Sequence, residues 1–523
     1  MRKGRTARLI ALAAIIGTSL SIQPVPAQAD LLIRGGTIYT GTSAPFIGDV
    51  LIAGDRIQRV APHIAARARR TIEAAGMIVA PGFIDPHTHA DAMLTSDGAQ
   101  ERLVLPFLMQ GVTTAFIGND GGGGPNIARL FAAVADKPVG INFAAYVGFG
   151  SVRAAVLGQS DRTPTPDELA HMRQITAKAM CEGAIGVSTG LFYAPQSFAK
   201  TDEVVAIARE AAIRGGFYDS HIRDESSYTI GLMAAIEEAI GIGRSAKMPV
   251  HIAHIKALGA DVQGQAPRVI AMVEAARTRG ENVTADQYPW SASGTRLVAA
   301  LIPAWAQEGG YQALRKRLHD PALAVRLRAE ITETMRKRGG AASLLITDGP
   351  HKGRTVAQIA AAAQIDPIAA AIRLIQESDF ALASFNQSEP DIAAFMKRPW
   401  VMTGSDASPG HPRVYGSFAR KYAKYVVADR VITLRQFIER SATLTADTFK
   451  LKDRGRLRRG AFADVVIFDP KTYAARATYD QPKLFATGVQ TVIVNGTIAI
   501  DHGKPTAAAP GRPLPHRPKG HCS

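Results

Sequence analysis

What most constrains this chain is a rhythm. From about residue 81 to 454, short apolar runs such as TTAFIG, GAIGVSTG, PVHIAHI, VTADQY and WVMTGSD alternate with alanine-rich amphipathic segments such as DEVVAIAREAAIRGG. Strands separated by helices do not pair as tight hairpins; they align in parallel, with the helices packed outside. Over this length the alternation predicts a (β/α)8 barrel, in which the carboxyl ends of the strands converge on one face. The stretch at about 301–342 breaks the rhythm with charged helices carrying Arg315, Lys316, Arg317, Arg326 and Arg328, and reads as a helical insertion in the barrel. Residues 30–80 hold β-type runs broken by glycine, and similar runs return at 455–505, as in VVIFDP and VQTVIVNGTIAI. Each end alone offers few strands, so the two are expected to build one small β-domain together. The proline-rich, basic stretch 506–523 is expected to be a flexible tail.

Residues 1–29 have the three parts of a secretory signal peptide: basic Arg2, Lys3, Arg5 and Arg8, an apolar run from Leu9 to Leu20, and small residues at Ala27 and Ala29. The run falls short of the ~20 apolar residues of an ordinary span. Cleavage after Ala29 is therefore expected, giving a periplasmic or secreted protein with no stable membrane insertion. Those four cations also inflate the formal charge of +16. The remaining basic residues lack interleaved aromatics, which argues against a nucleic-acid partner; the partner expected from the chemistry below is a small-molecule substrate. Cys181 lies in a helical run just before an apolar strand and reads as a buried structural thiol, with pairing to Cys522 left open. Assembly into a homo-oligomer is also left open.

The sharpest chemical signal is GFIDPHTHAD, where His87 and His89 sit two apart after an apolar run. Period two on a strand aims both imidazoles at one face, where they can share a metal. His221 in FYDSHIRDE and His254 in PVHIAHIKA each end an apolar run, and Asp406 ends another in WVMTGSDASPG. A carboxylate beside a metal can orient water, take its proton and pass that proton to a leaving group. His251, three positions before His254, faces the other way and is given no role, as are His63, His171 and His319. The glycines at 121–124 lack the Lys-Ser/Thr ending of a phosphate loop and the spacing of a dinucleotide fingerprint, so they are read as a flexible loop beside the metal site.

The HxH pair, the later single histidines, the aspartate and the flanking β-domain resemble the amidohydrolase superfamily over nearly the whole mature chain. Within it GFIDPHTHAD, GVTTAFIGND, GAIGVSTGLFYAP, SHIRDE, HIAHIKA, DQYPW and GSDASPGHPR resemble the D-aminoacylase branch, the N-acyl-D-amino-acid deacylases. The resemblance implies an α/β fold, a (β/α)8 metal-dependent hydrolase barrel with a small β-sandwich domain from both chain ends. It implies hydrolysis of the amide of N-acyl amino acids, with D configuration favoured, or of dipeptide-like compounds, and zinc as the usual metal, one or two ions. Carried over residue by residue, His221 and His254 hold the tighter zinc; His87, His89 and Asp406 surround a second position, and Asp406 is general base and acid. Where the family's phrase usually ends in a metal-bridging cysteine this chain has Asp120. A carboxylate can also bridge, but it is harder than thiolate and opens the site to another divalent metal.

An N-acyl amino acid presents a carboxylate, which a guanidinium, ammonium or phenol captures best. Lys256, Tyr288, Arg296, Tyr193 and Arg223, each following a metal-bearing or neighbouring strand, are the candidates. Hydrolysis of a cyclic amide of the hydantoinase or dihydroorotase kind, or of a lactone or ester, uses the same metal chemistry, although the VSTG strand lacks a lysine placed for carboxylation. A catalytically silent binding barrel is a further alternative, one that would have no use for five converging ligands.

Overall fold

The computed structural model of the protein describes residues 29–520 and 522. The expected leader up to residue 28 lies outside them, and Ala29 opens the first strand.

Among the described residues both chain ends enter one nine-stranded sheet. Ala29–Ile38 pairs antiparallel with Phe46–Ala53 and parallel with Ile78–Pro81, which in turn pairs antiparallel with Val465–Phe468. The alternation of these strands places Leu31, Ile33, Val50 and Ile52 from one end against Val465, Ile467 and Ile493 from the other. Neither half could bury that face alone. The sheet curls back on itself, with Ile57 N donating to Ala461 O at 2.9 Å.

The chain then runs directly into eight parallel strands: Phe83–Asp85, Val112–Ile117, Asn142–Ala145 continued by Val147–Gly148, Gly186–Gly190, Phe217–His221, Val250–Ile252, Val283–Gln287 and Val401–Thr403. A parallel bridge between Thr88 and Ala407, with Asp406 N donating to His87 O at 2.9 Å, joins the eighth strand to the first and closes the barrel. The surrounding helices follow local rules. Thr165 and Glu168 form a reciprocal cap for Pro166–Cys181. Thr201–Ile213 buries Val204, Ile207, Ala208 and Ala211, one stripe at helical spacing. No single helix among the described residues is long and apolar enough to cross a membrane.

Four expectations are corrected. The insertion is larger than 301–342: residues 292–385 form a unit with an antiparallel sheet of Ala292–Arg296, Ala381–Phe385 and Leu344–Ile346, and a core of its own including Leu301, Leu314, Ile331 and Ile375. Its later helices, Val356–Ala363 and Pro367–Glu377, are alanine-rich like the barrel's, so the sequence rhythm hides the boundary. The tail is docked rather than loose. Gly511 N donates to Val139 O, Leu514 N to Phe143 O, His516 N to Gly183 O and Lys519 N to Arg214 O, which straps the tail across the amino-terminal ends of the third to fifth barrel strands. Cys181 is no structural thiol, because it forms a disulfide with Cys522 and fixes the end of that strap. The loop at 121–124 is anchored rather than free at two of its glycines, since a Cβ on Gly123 would lie 2.1 Å from Tyr146 O and one on Gly121 2.1 Å from Gln196 Oε1, while Gly122 and Gly124 are exposed.

Candidate active site

All six residues expected to hold metal lie just at or beyond the carboxyl ends of barrel strands: His87 and His89 after the first, Asp120 after the second, His221 ending the fifth, His254 after the sixth and Asp406 after the eighth. Three of them, Asp120 (φ 55°), His254 (φ 36°) and Asp406 (φ 48°), adopt the left-handed backbone that non-glycine residues avoid. Such strain persists only where neighbours hold it. Here buried carboxylates do so: Asp286 Oδ1 accepts from His254 N at 2.9 Å, and Asp85 Oδ1 accepts from Ser405 N at 3.1 Å. Asn119 ties the second turn to the first, taking Thr88 N at 3.4 Å and donating to Pro86 O at 3.2 Å.

Asp120 is the common neighbour of four imidazoles. Its oxygens lie 3.4 Å from His87 Nε2, 3.5 Å from His89 Nε2, 3.8 Å from His221 Nδ1 and 3.4 Å from His254 Nε2. Asp406 Oδ1 stands 3.2 Å from His89 Nε2 and 3.8 Å from His87 Nε2. Bonds of ~2.1 Å to a tetrahedral ion imply donor separations of about 3.4 Å. The donors thus stand at the spacing a divalent metal requires. His87 Nε2 and Asp120 Oδ1 are buried with no hydrogen-bond partner, as a waiting ligand set would be. His251 is apart from them, bonded to Thr284 Oγ1 and Asp286 Oδ1.

The electrostatics also call for a cation. Burial opposes protonation of His89, yet Asp120 and Asp406 raise it to about 10. His254, pushed down by burial and by Lys256, is carried to about 10 by Asp406 and Asp120. A raised folded-state value means stability that is full below the ordinary histidine range and lost as pH climbs toward 10. In the absence of metal the melting temperature is therefore expected to fall between about pH 6.5 and 10. The metal-loaded protein should be flatter, because the ion takes the place of those protons. Differential scanning fluorimetry with and without chelator measures this, and a chelated protein that gains stability over that window would contradict it.

The substrate candidates divide. Lys256 is buried, its Nζ 2.5 Å from Glu225 Oε1 and 2.7 Å from His254 Nδ1. Tyr288 takes a hydrogen bond from Gln387 at 2.8 Å, and its ring faces the Arg413 guanidinium 5.0 Å away. The Tyr193 ring lies 4.7 Å from that of His221 and lines both cavities at the site. Arg296 stands at the rim of the outer cavity, of about 540 Å3, paired with Asp379 at 3.1 Å. Arg223 lines neither cavity and is paired with Glu238 at 2.8 Å. The period-two rule that placed it beside His221 ends with the strand at His221.

Two further residues belong to the site: Glu225, which sequence reasoning had not assigned, and Arg413, which it had placed with His411 in the loop after the eighth strand as ordering that loop over substrate. Glu225, four past His221, reaches His254 Nδ1 at 3.1 Å besides Lys256. Arg413 donates to Asp406 Oδ2 at 2.7 Å, and a Cβ on Gly294 would lie 2.8 Å from its Nη2. Both sit inside phrases already singled out, SHIRDE and GSDASPGHPR, but neither shows its partner in sequence.

Barrel, donor set and second carboxylate together define a metal-dependent hydrolase. A family model described as "Amidohydrolase family" matches residues 70–500, and the chain belongs to that family, in its D-aminoacylase branch. The D-aminoacylase of Alcaligenes xylosoxydans xylosoxydans is 32% identical over 502 residues, covering 89% of this chain and 93% of its own. The N-acyl-D-glutamate deacylase of the same organism is 33% identical over 93% of this chain and 96% of its own. Among solved structures, N-acyl-D-glutamate deacylase from Bordetella bronchiseptica superposes with a TM-score of 0.81 at 31% identity, over 93% of this chain and all of that one. It was solved with zinc and a phosphonate inhibitor that mimics the tetrahedral intermediate.

Proposed function

We propose that this protein hydrolyses the acyl amide of N-acyl-D-amino acids, using zinc, in the periplasm or outside the cell. The observation that carries the reading is Asp406, set between the histidine cluster at 3.2 Å and Arg413 at 2.7 Å, and lining both cavities at the site. The similarity to deacylases over nearly the full chain supports the substrate class. The donors fall into two groups that share His254, one of His87, Asp120, His254 and Asp406 and one of His221, Glu225 and His254, which would hold the metal, with His89 beside Asp120 and Asp406. When bound, the ion supplies Lewis acidity for the amide carbonyl and acidifies a water.

The remaining work falls to side chains. Arg413 and the neighbouring imidazoles hold Asp406 far below the usual carboxylate range against its burial, so it is ionised. As the water oxygen adds to the acyl carbon, its proton passes to Asp406; when the C–N bond breaks, Asp406 returns that proton to the departing amine. Lys256, Tyr288 and Arg413 offer their remaining donors to the α-carboxylate of the substrate. The expected leader and the Cys181–Cys522 disulfide, a bond that persists in oxidising compartments, support export.

The test is amine release by the zinc-reconstituted protein across N-acetyl-D- and N-acetyl-L-amino acids, with and without chelator. Chelator-sensitive turnover confined to D-substrates is expected. Silence across the panel from a metal-loaded protein would overturn the reading.

A further inference from the structure

Of the basic side chains in and around the site, four already face a carboxylate: Arg413 with Asp406, Lys256 with Glu225, Arg296 with Asp379 and Arg223 with Glu238. Arg338 is different. It is 1% exposed, and no carboxylate among the described residues pairs with it. Its Nε donates to Ala300 O at 2.7 Å, while Nη1 is enclosed with no acceptor. The guanidinium lies 5.0 Å from the Tyr228 ring and 5.9 Å from the Phe192 ring. All three residues wall the deep pocket whose other side is His221 and Asp406.

Its position is fixed by the inserted unit. Arg338 ends the helix Pro321–Lys337, and that end is latched to the loops after the fifth and sixth barrel strands. Lys337 Nζ donates to Ser227 O at 2.5 Å and Arg336 Nη1 to Asp261 Oδ1 at 2.9 Å. A Cβ on Gly259 would lie 2.5 Å from Lys337 O, so the close approach depends on glycine there.

A buried guanidinium without a counter-charge is costly to fold around, and the cost is recovered when an anion arrives. Its free N–H groups suit a carboxylate. The pocket's inner space of about 20 Å3 corresponds to roughly one to two waters, the scale of a carboxylate head. We propose that Arg338 binds a second carboxylate, one the substrate carries away from both the scissile amide and the α-carboxylate, and so selects acidic substrates. This rests on the deacylase reading above. The second carboxylate can belong to the amino-acid side chain or to a dicarboxylic acyl group, and the test separates the two.

Wild type and Arg338→Met are compared on N-acetyl-D-glutamate against N-acetyl-D-glutamine, and on N-succinyl-D-leucine against N-acetyl-D-leucine. Wild type is expected to prefer the acidic member of at least one pair in kcat/KM. Arg338→Met should lower that acid-to-neutral ratio about 10- to 100-fold, the range of a charged hydrogen bond. A fall on the first pair places the acid on the amino acid, and a fall on the second places it on the acyl group. An unchanged ratio in both pairs overturns the proposal. Thermal-shift titrations with the same four compounds judge binding without turnover. Selective stabilisation by an acidic compound, lost in Arg338→Met, sustains the proposal even if nothing is hydrolysed, and it is then the deacylase reading that fails. Absence of such selectivity in wild type overturns it. Arg338→Lys, which keeps the charge and loses the fork, serves where Arg338→Met does not fold, and an intermediate ratio is expected.

Discussion

Asp406→Asn is expected to lower kcat by about 10^2- to 10^4-fold, the range of a lost general acid–base group, while metal content measured by elemental analysis stays near that of wild type. The asparagine keeps the shape of the side chain and an oxygen for the Arg413 contact, now 2.7 Å long. It cannot accept a proton from water or return one to an amine. Asp406 Oδ1 also stands 3.2 Å from His89 and 3.8 Å from His87. Because Asp120 shares those imidazoles, losing the charge at residue 406 leaves the donor set largely intact. KM should change far less than kcat, because Asp406 works on the reacting atoms. A variant that kept full turnover with full metal would remove Asp406 from proton transfer and leave it a metal ligand alone.

Much of this site is legible in the sequence because the barrel turns linear order into spatial convergence. Any polar residue at the carboxyl end of a strand is brought to one face. That is enough to gather His87, His89, His221, His254 and Asp406 from positions more than three hundred residues apart. The reasoning weakens where the strand stops. Lys256 reaches the site through the left-handed turn at His254, φ 36°, and not by strand alternation. Arg223, placed by the same alternation, turns out to Glu238. Glu225 and Arg413 find their partners across loops, and nothing in their spacing encodes that. The inserted unit stayed partly hidden because its helices carry the composition of barrel helices. The tail misled for a different reason. Proline and basic residues read as disorder, yet an extended segment can satisfy its backbone on a neighbour, as Leu514 does on Phe143, and a disulfide at Cys522 fixes its end.

The largest effect on metal is expected at Asp120. Asp120→Ala removes the one side chain among the described residues within 3.8 Å of all four imidazoles. It leaves like-charged or neutral rings facing one another, His221 Nδ1 only 2.9 Å from His254 Nε2, with Glu225 on their outer nitrogens and no anion on the side that faced Asp120. Loss of most bound metal and of turnover is expected, read by elemental analysis and by amine release. Asp120→Cys asks a finer question. Its thiolate restores a bridging anion but a softer one, so it should favour zinc over harder ions. Dialysed against equal zinc and manganese, wild type is expected to retain a larger share of manganese than Asp120→Cys. The backbone adds a cost: residue 120 sits at φ 55°, which aspartate tolerates better than cysteine, so the cysteine variant should melt somewhat earlier without metal. If Asp120→Ala keeps its metal, Asp120 is a turn residue and the histidines with Asp406 and Glu225 suffice. If it loses metal and Asp120→Cys regains it with a narrowed preference, the carboxylate is what lets this site accept more than one divalent ion.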